Sequence, residues 1–272
     1  MMEFEVLKSR TEGGVLFLAI DNPPINLLGT GLVRDLVMLI KMLDKGDSYK
    51  VVVFSSANPE YFIPHVDVTK VAEYRQIAAE LTGEPSLSLL YRRLSETKAI
   101  TIAQIDGRVR GAGSEFVLAC DMRFASKERA IFGQLEAAFG QVPGSGGVQH
   151  LTRLMGRGRA FEVLTSSEDF TADMAERYGW INRSIPDAEL ESFVDTLAMR
   201  IAKFPRQGLL DIKERINAIT LAPVEDYRTD SDLFGKAMQN PETQERYKAI
   251  MTKGFQHPGN TELNLGKVLG DL

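Results

Sequence analysis

Cysteine is nearly missing from these 272 residues, with Cys120 standing alone. One thiol cannot form an intrachain disulfide, and such usage is expected of a reducing, cytoplasmic setting. Cys120 sits in FVLACD, where it reads as a small core residue rather than a reactive thiol. Histidine is scarce too: His65, His150 and His257 lie far apart. Neither HExxH nor paired-Cys spacing occurs, so no metal site is expected. No apolar run reaches the roughly 18 residues of a membrane span. The opening MMEFEVLKSRTEGG has no basic region followed by an apolar stretch, so neither a secretory signal nor a membrane partner is expected. Positive charge is not in excess: 32 Lys and Arg face 37 Asp and Glu, a net charge of -5. That balance argues against a nucleic-acid partner.

Several catalytic signatures are absent. There is no GxxxxGK[ST] phosphate loop, and neither GRVRGAG nor PGSGG completes GxGxxG. No GxSxG elbow occurs, which leaves Ser114 and Ser145 without the usual setting of a hydrolase nucleophile. Nucleotide-dependent, metal-dependent and serine-triad enzymes recede together.

What is present is an α/β pattern. VLFLAI (15–20) and YKVVVFSS (49–56) are short, apolar and β-branched, as strands are. Between them Leu32, Val33, Leu36, Val37, Ile40 and Leu43 recur at helical spacing. This βαβ order implies a largely parallel sheet. Further helical sequence, interrupted at Gly83-Glu84-Pro85, leads to a third buried strand, AITIAQI (99–105), which turns at Asp106-Gly107. A short apolar helix is expected from about Gly111, then a strand at DMRFAS (121–126). Thr171 is a helix N-cap candidate with Gly179 as the stop, and Leu190, Phe193, Val194, Leu197 and Ile201 form another stripe. The expected division is an α/β core over 1–200 and a helical C-terminal region over 201–272, the latter packing on the core or on a neighbouring subunit.

The chemistry concentrates in Gly111-Ala112-Gly113-Ser114-Glu115. This segment follows a buried strand and opens a helix, so its first N–H groups lack intrahelical partners. With the positive end of the helix dipole behind them, they suit a developing negative charge such as the enolate of a thioester. Glu115 lies one turn from Ala112 on the same face. A glutamate in a first helical turn is often only a surface residue, but Phe116, Val117, Leu118 and Ala119 make this helix apolar. A carboxyl there gains a raised pKa suited to proton transfer. A second carboxylate, Glu136, stands in the equally apolar FGQLEAAFGQVPGSGG. Spacing alone does not bring the two together.

The run from Lys98 to Asp121 and the stretch FGQLE…PGSGG resemble the two central segments of the enoyl-CoA hydratase/isomerase (crotonase) family. NPPINLLG (22–29), FIPHVDV (62–68) and FTADMAERYGWINRSI (170–185) fall in the expected order, so the resemblance covers roughly residues 4–255. It implies a spiral of ββα units with a helical C-terminal region that builds homotrimers or homohexamers. It also implies an acyl-CoA substrate, with no cofactor beyond the coenzyme A that the substrate carries. Carried over by residue, it places oxyanion donors at the N–H groups of Val66 and Ala112. Glu115 and Glu136 become the catalytic pair, and His65, Gly113 and Gly144 become substrate-contacting positions. Lys253 is a loose match to a basic residue near the CoA phosphate.

Two departures stand out. The first oxyanion loop, usually small and glycine-rich, reads Pro64-His65-Val66, so His65 either lines the substrate tunnel or points away and packs. Arg108 and Arg110 flank the second loop, and are read either as anion ligands or as solvated side chains. The expected reaction is reversible hydration of a 2-enoyl-CoA. The alternatives are isomerisation, C–C lyase chemistry or thioester hydrolysis on the same scaffold, or a non-catalytic acyl-CoA-binding subunit.

Overall fold

The strand β2 (Val15–Ile20) is apolar at nearly every position because both of its faces are covered. Leu16, Leu18 and Ile20 pack towards α1 (Thr30–Lys45), while Val15 and Phe17 join Leu190, Val194 and Ala198 of α7 (Asp187–Ala202) on the other face. The expected helical stripe from Leu32 to Leu43 is the buried face of α1. The computed structural model describes residues 4–46 and 48–272.

Two sheets organise the core. The larger contains β1 (Leu7–Glu12), β2, β3 (Val51–Ser56), β5 (Ile100–Ile105), β7 (Met122–Ser126) and β10 (Arg183–Ile185) in that spatial order. All neighbours are parallel except β1, which folds back on β2 through Gly13-Gly14, both at positive φ. The smaller sheet orders β4 (Tyr61–Ile63), β6 (Arg108–Arg110), β8 (Ile131–Gly133) and β9 (Phe170–Thr171). The three turns that begin at β3, β5 and β7 each contribute a long strand to one sheet, a short one to the other, and then helix. The helices after β4 are α2 (Val71–Thr82) and α3 (Leu87–Ser95); α4 (Ala112–Ala119) follows β6, and α5 (Gly147–Ser166) follows β8.

The step from β5 to β6 depends on Gly107, where φ is +72° and a Cβ would lie 2.2 Å from the Glu60 carbonyl carbon. Thr171 caps α6 (Ala172–Tyr178) by accepting the Met174 N–H, and Gly179 ends that helix in the left-handed region. Beyond α7 the described residues form helices only: α8 (Arg206–Thr220), α9 (Val224–Ala237), α10 (Pro241–Met251), α11 (Asn260–Leu263) and α12 (Leu265–Gly270). Phe255, Leu265 and Leu269 pack on Leu135 and Phe139, so the end of the chain folds back over the C-terminal side of β8. Among the described residues no helix is long and apolar enough to cross a membrane.

Candidate active site

A cavity opens where β6 ends and α4 begins. It is lined by Val66 and His65 from the 62–68 loop, Gly111, Ala112 and Glu115 from α4 and its approach, Glu136 after β8, and Gly144 and Ser145. Residues from four separate stretches of chain thus meet at one place.

Gly111 makes this convergence possible. Its φ of +50° turns the chain into α4 and leaves Ala112 with an ordinary backbone, and a Cβ on Gly111 would lie 3.1 Å from Glu136 Oε1. Among the described residues no acceptor meets the Ala112 N–H, whereas its carbonyl accepts the buried Tyr91 hydroxyl at 3.0 Å. The second free donor arises differently. Leu28 N donates to His65 O at 3.0 Å and Asp67 N to Leu28 O at 2.8 Å, a parallel bridge centred on Val66. In such a bridge the N–H of the central residue points away from the partner strand. The Val66 N–H is therefore left without a protein acceptor among the described residues, and Val66 lines the cavity. Pro64 costs no donor here, because the donor lies two residues further on.

Glu115 is 2% exposed and Glu136 8%. The Ser145 and Gly147 N–H groups donate to the same oxygen of Glu115, at 2.7 and 2.8 Å, which leaves Oε2 available to a ligand. The glycine-rich PGSGG segment thus acts as a carboxylate clamp, a role its failed match to dinucleotide loops did not suggest. Glu136 Oε2 accepts from Gln134 Nε2 at 3.2 Å. Burial, and then the charge of Glu136, push the Glu115 carboxyl well above its ordinary pKa; burial does the same to Glu136.

His65 lines the cavity and is also packed. Its ring stacks on Phe255 with centroids 4.2 Å apart. Nδ1 lies 2.8 Å from Val66 O, and Nε2 lies 3.0 and 3.1 Å from the Glu262 carboxylate. Both partners are acceptors, so a ring that satisfies both carries two N–H groups and a positive charge. Burial alone would raise the Glu262 carboxyl, but the His65 ring, the Gln256 N–H and Arg110 outweigh it and hold it below its ordinary value.

Other expected site residues behave differently. Gly113 is not part of the cavity wall: a Cβ there would come within 2.0 Å of Ile63 O, so its smallness serves the packing of α4 on β4. Gly144 does line the cavity, and its missing side chain admits Phe234 of α9. Arg110 is neither solvated nor an anion ligand. It is fully buried, grips Asp169 with two bonds at 2.6 and 2.9 Å, and donates to Glu262 O at 2.9 Å. Arg108 is half-buried beneath the C-terminal segment and donates to Leu263 O at 3.4 Å. Lys253 is exposed. Ser114 is buried and accepts the Trp180 indole N–H at 3.1 Å, a setting unlike that of a nucleophile. The sequence reading missed Gln134, although it lies inside the quoted FGQLE. It also missed Glu262, which carries no local signal.

A model of the enoyl-CoA hydratase/isomerase family matches residues 10–257. The chain belongs to the enoyl-CoA hydratase/isomerase family. A crystal structure described as "a putative enoyl-CoA hydratase from Streptomyces avermitilis" superposes with a TM-score of 0.98 at 50% identity, over 100% of this chain and 99% of that one. The short-chain-enoyl-CoA hydratase of Clostridium acetobutylicum is 26% identical over 93% of this chain and 97% of its own. The 2,3-dehydroadipyl-CoA hydratase of Escherichia coli K12 is 30% identical over 78% of this chain and 81% of its own. Membership in the family makes this an enzyme of the enoyl-CoA hydratase/isomerase type, built on the crotonase fold.

Proposed function

We propose that the protein catalyses reversible hydration of a 2-enoyl-CoA. The observation that carries this reading is the presence of two buried carboxylates in one cavity beside two unpartnered backbone N–H groups. The thioester oxygen sits between the Val66 and Ala112 N–H groups, which stabilise charge as it builds on that oxygen. Glu115, fixed through one oxygen, presents the other to a water molecule. That water's oxygen bonds to the β-carbon while its proton passes to Glu115. Glu136 gives its proton to the α-carbon as the enolate collapses. The pair begins and ends the cycle with one proton, and one water is added. The proposed step requires the shared proton on Glu136; the two N–H donors on Glu115 pull its carboxyl downward against burial.

The test is loss of the enoyl-thioester absorbance with the mass gain of one water, across a panel of 2-enoyl-CoAs. Glu115→Gln and Glu136→Gln are each expected to abolish it. If both variants kept turnover, the assignment of the pair would fail. A different altered thioester, with no 3-hydroxyacyl product, would select isomerase, lyase or hydrolase chemistry instead.

The protein is proposed to work as a homotrimer or homohexamer, and the exposed face of α8 supports this. Ile212, Ile216 and Ile219 are 59, 54 and 77% exposed, an apolar patch suited to a second copy. Ile216→Glu is expected to lower the mass measured by sedimentation. A cytoplasmic location fits a chain whose single cysteine is buried.

A further inference from the structure

The named relatives act on different acyl groups, so the acyl group of this enzyme has to be read from its own cavity. Arg75 is the only lysine or arginine among the described residues that line the cavity. Its guanidinium bridges α2 and α9. Nε donates to Pro85 O at 2.7 Å, Nη2 to Ser231 Oγ at 3.2 Å, and Nη1 more weakly to Ser231 O at 3.5 Å. Ser231 is itself buried and accepts the Ser86 hydroxyl at 3.1 Å. Gly235 makes room for the group, since a Cβ there would lie 3.1 Å from Nη1.

Every partner of Arg75 is neutral. Nearby Arg228 and Arg92 instead meet Glu84 at 2.6 Å and Glu96 at 3.2 Å. No carboxylate among the described residues pairs with Arg75. A guanidinium has five N–H groups, so one on each terminal nitrogen remains unused. Each can make a charge-assisted hydrogen bond to a carboxylate.

The direction of the cavity identifies the occupant. The thioester oxygen is assigned to Val66 and Ala112, the α-carbon to Glu136 and the β-carbon to Glu115. Glu115 is clamped by Ser145, whose neighbour Gly144 rests on Phe234, one turn of α9 from Ser231. Carbons beyond the β-position therefore run past Glu115 towards Ser231 and Arg75. We propose that Arg75 and Ser231 bind a carboxylate at the far end of the acyl group. The preferred substrate class is then the CoA monothioester of an unsaturated dicarboxylic acid. This rests on the orientation given by the hydratase reading.

Two measurements test it on the full-length enzyme. The first compares kcat/KM for 2-enoyl-CoAs of four, six and eight carbons with and without a terminal carboxylate, for wild type, Arg75→Lys and Arg75→Leu. Wild type is expected to favour the carboxylate at one length by at least about tenfold. Arg75→Leu should lower the ratio of dicarboxylate to plain substrate by about 10–100-fold, the range of a hydrogen bond to a charged group, and Arg75→Lys should retain part of it. The second is equilibrium binding of saturated adipoyl-CoA against hexanoyl-CoA, which needs no turnover. If no substrate were hydrated yet wild type bound adipoyl-CoA more tightly and Arg75→Leu lost that preference, the hydratase reading would fail and the carboxylate site would stand. A wild type that binds and turns over plain acyl groups as well as every dicarboxylate would overturn the proposal. So would an Arg75→Leu variant that loses both classes equally.

Discussion

Replacing His65 by leucine removes the positive partner of a carboxylate that has no exposed surface. Glu262 is 0% exposed and lies 3.0 Å from the ring. Removing one member of a buried pair costs about 3–5 kcal/mol, mainly because the remaining charge is left uncompensated. The Gln256 N–H still donates to Glu262 at 2.7 Å, and the Arg110 guanidinium still stands nearby. Those partners place His65→Leu at the lower end, about 3 kcal/mol. The loss should also depend on pH. In the wild type the folded-state pKa of Glu262 is depressed. Its contribution is present above the unfolded carboxyl value and disappears as pH falls through the folded value. Without the ring, burial drives that pKa the other way, so the penalty grows as pH rises past the ordinary carboxylate range and is smallest below it. The assay is denaturant unfolding at fixed protein concentration, at neutral pH and near pH 4.5, the ordinary value of a glutamate. The double variant His65→Leu/Glu262→Met should lose less than His65→Leu alone, because it leaves no stranded charge. A single variant within about 0.5 kcal/mol of wild type, the range of an ordinary surface change, would refute the argument. So would a double variant whose loss equals the sum of the two singles.

Three further outcomes follow from the geometry. Because burial raises both carboxyls above the ordinary value and the proposed reaction needs one ionised and one protonated, kcat/KM should follow a bell with both limbs above the ordinary carboxylate range; a profile already at its maximum near pH 5 would contradict this. Gly113→Ala puts a methyl within 2.0 Å of the Ile63 carbonyl oxygen, a backbone atom, and should cost at least about 1–3 kcal/mol by overpacking; unchanged thermal stability would show that α4 and β4 can separate cheaply. Arg110→Met removes both bonds to Asp169 and the bond to the Glu262 carbonyl, and should destabilise the fold by about 3 kcal/mol or more; a loss confined to CoA affinity would restore Arg110 as an anion ligand.

The larger sheet was legible where strands are buried on both faces, as in β2, β3 and β5, because such strands are near-continuous apolar runs. β1 was not. Its LKSRTE has one buried residue and lies at the sheet edge, where its pairing with β2 comes from the Gly13-Gly14 turn rather than from hydrophobicity. The strands of the smaller sheet are two or three residues long, too short for any periodicity to show. That Gly111–Glu115 opens a helix and leaves a backbone N–H unpaired was legible from the sequence. That Glu136 stands beside Gly111 could be anticipated only from the family resemblance. The His65–Glu262 pair joins residues 197 apart in sequence, and nothing in GNTELNL distinguishes Glu262 from a solvated acid. Arg110 was misread because an arginine on a three-residue strand carries no mark of burial; the partner that permits it, Asp169, arrives from the β9 approach 59 residues later.

These pieces explain how a loop with proline and histidine can present an unpaired backbone N–H. An oxyanion donor needs a backbone N–H that is fixed in direction and denied an internal acceptor. Glycine-rich loops leave the N–H free but do not fix its direction by themselves. Here the fixing is explicit: the Leu28 bridge consumes the His65 carbonyl and the Asp67 N–H, and the His65 ring holds the Val66 carbonyl. Of the four polar groups around the donor, only the Val66 N–H remains for substrate. The His65 ring pulls the Glu136 carboxyl downward, and Glu262 sits on the ring's far nitrogen. The C-terminal segment that supplies Glu262 and Phe255 therefore holds in place the ring that fixes the Val66 carbonyl.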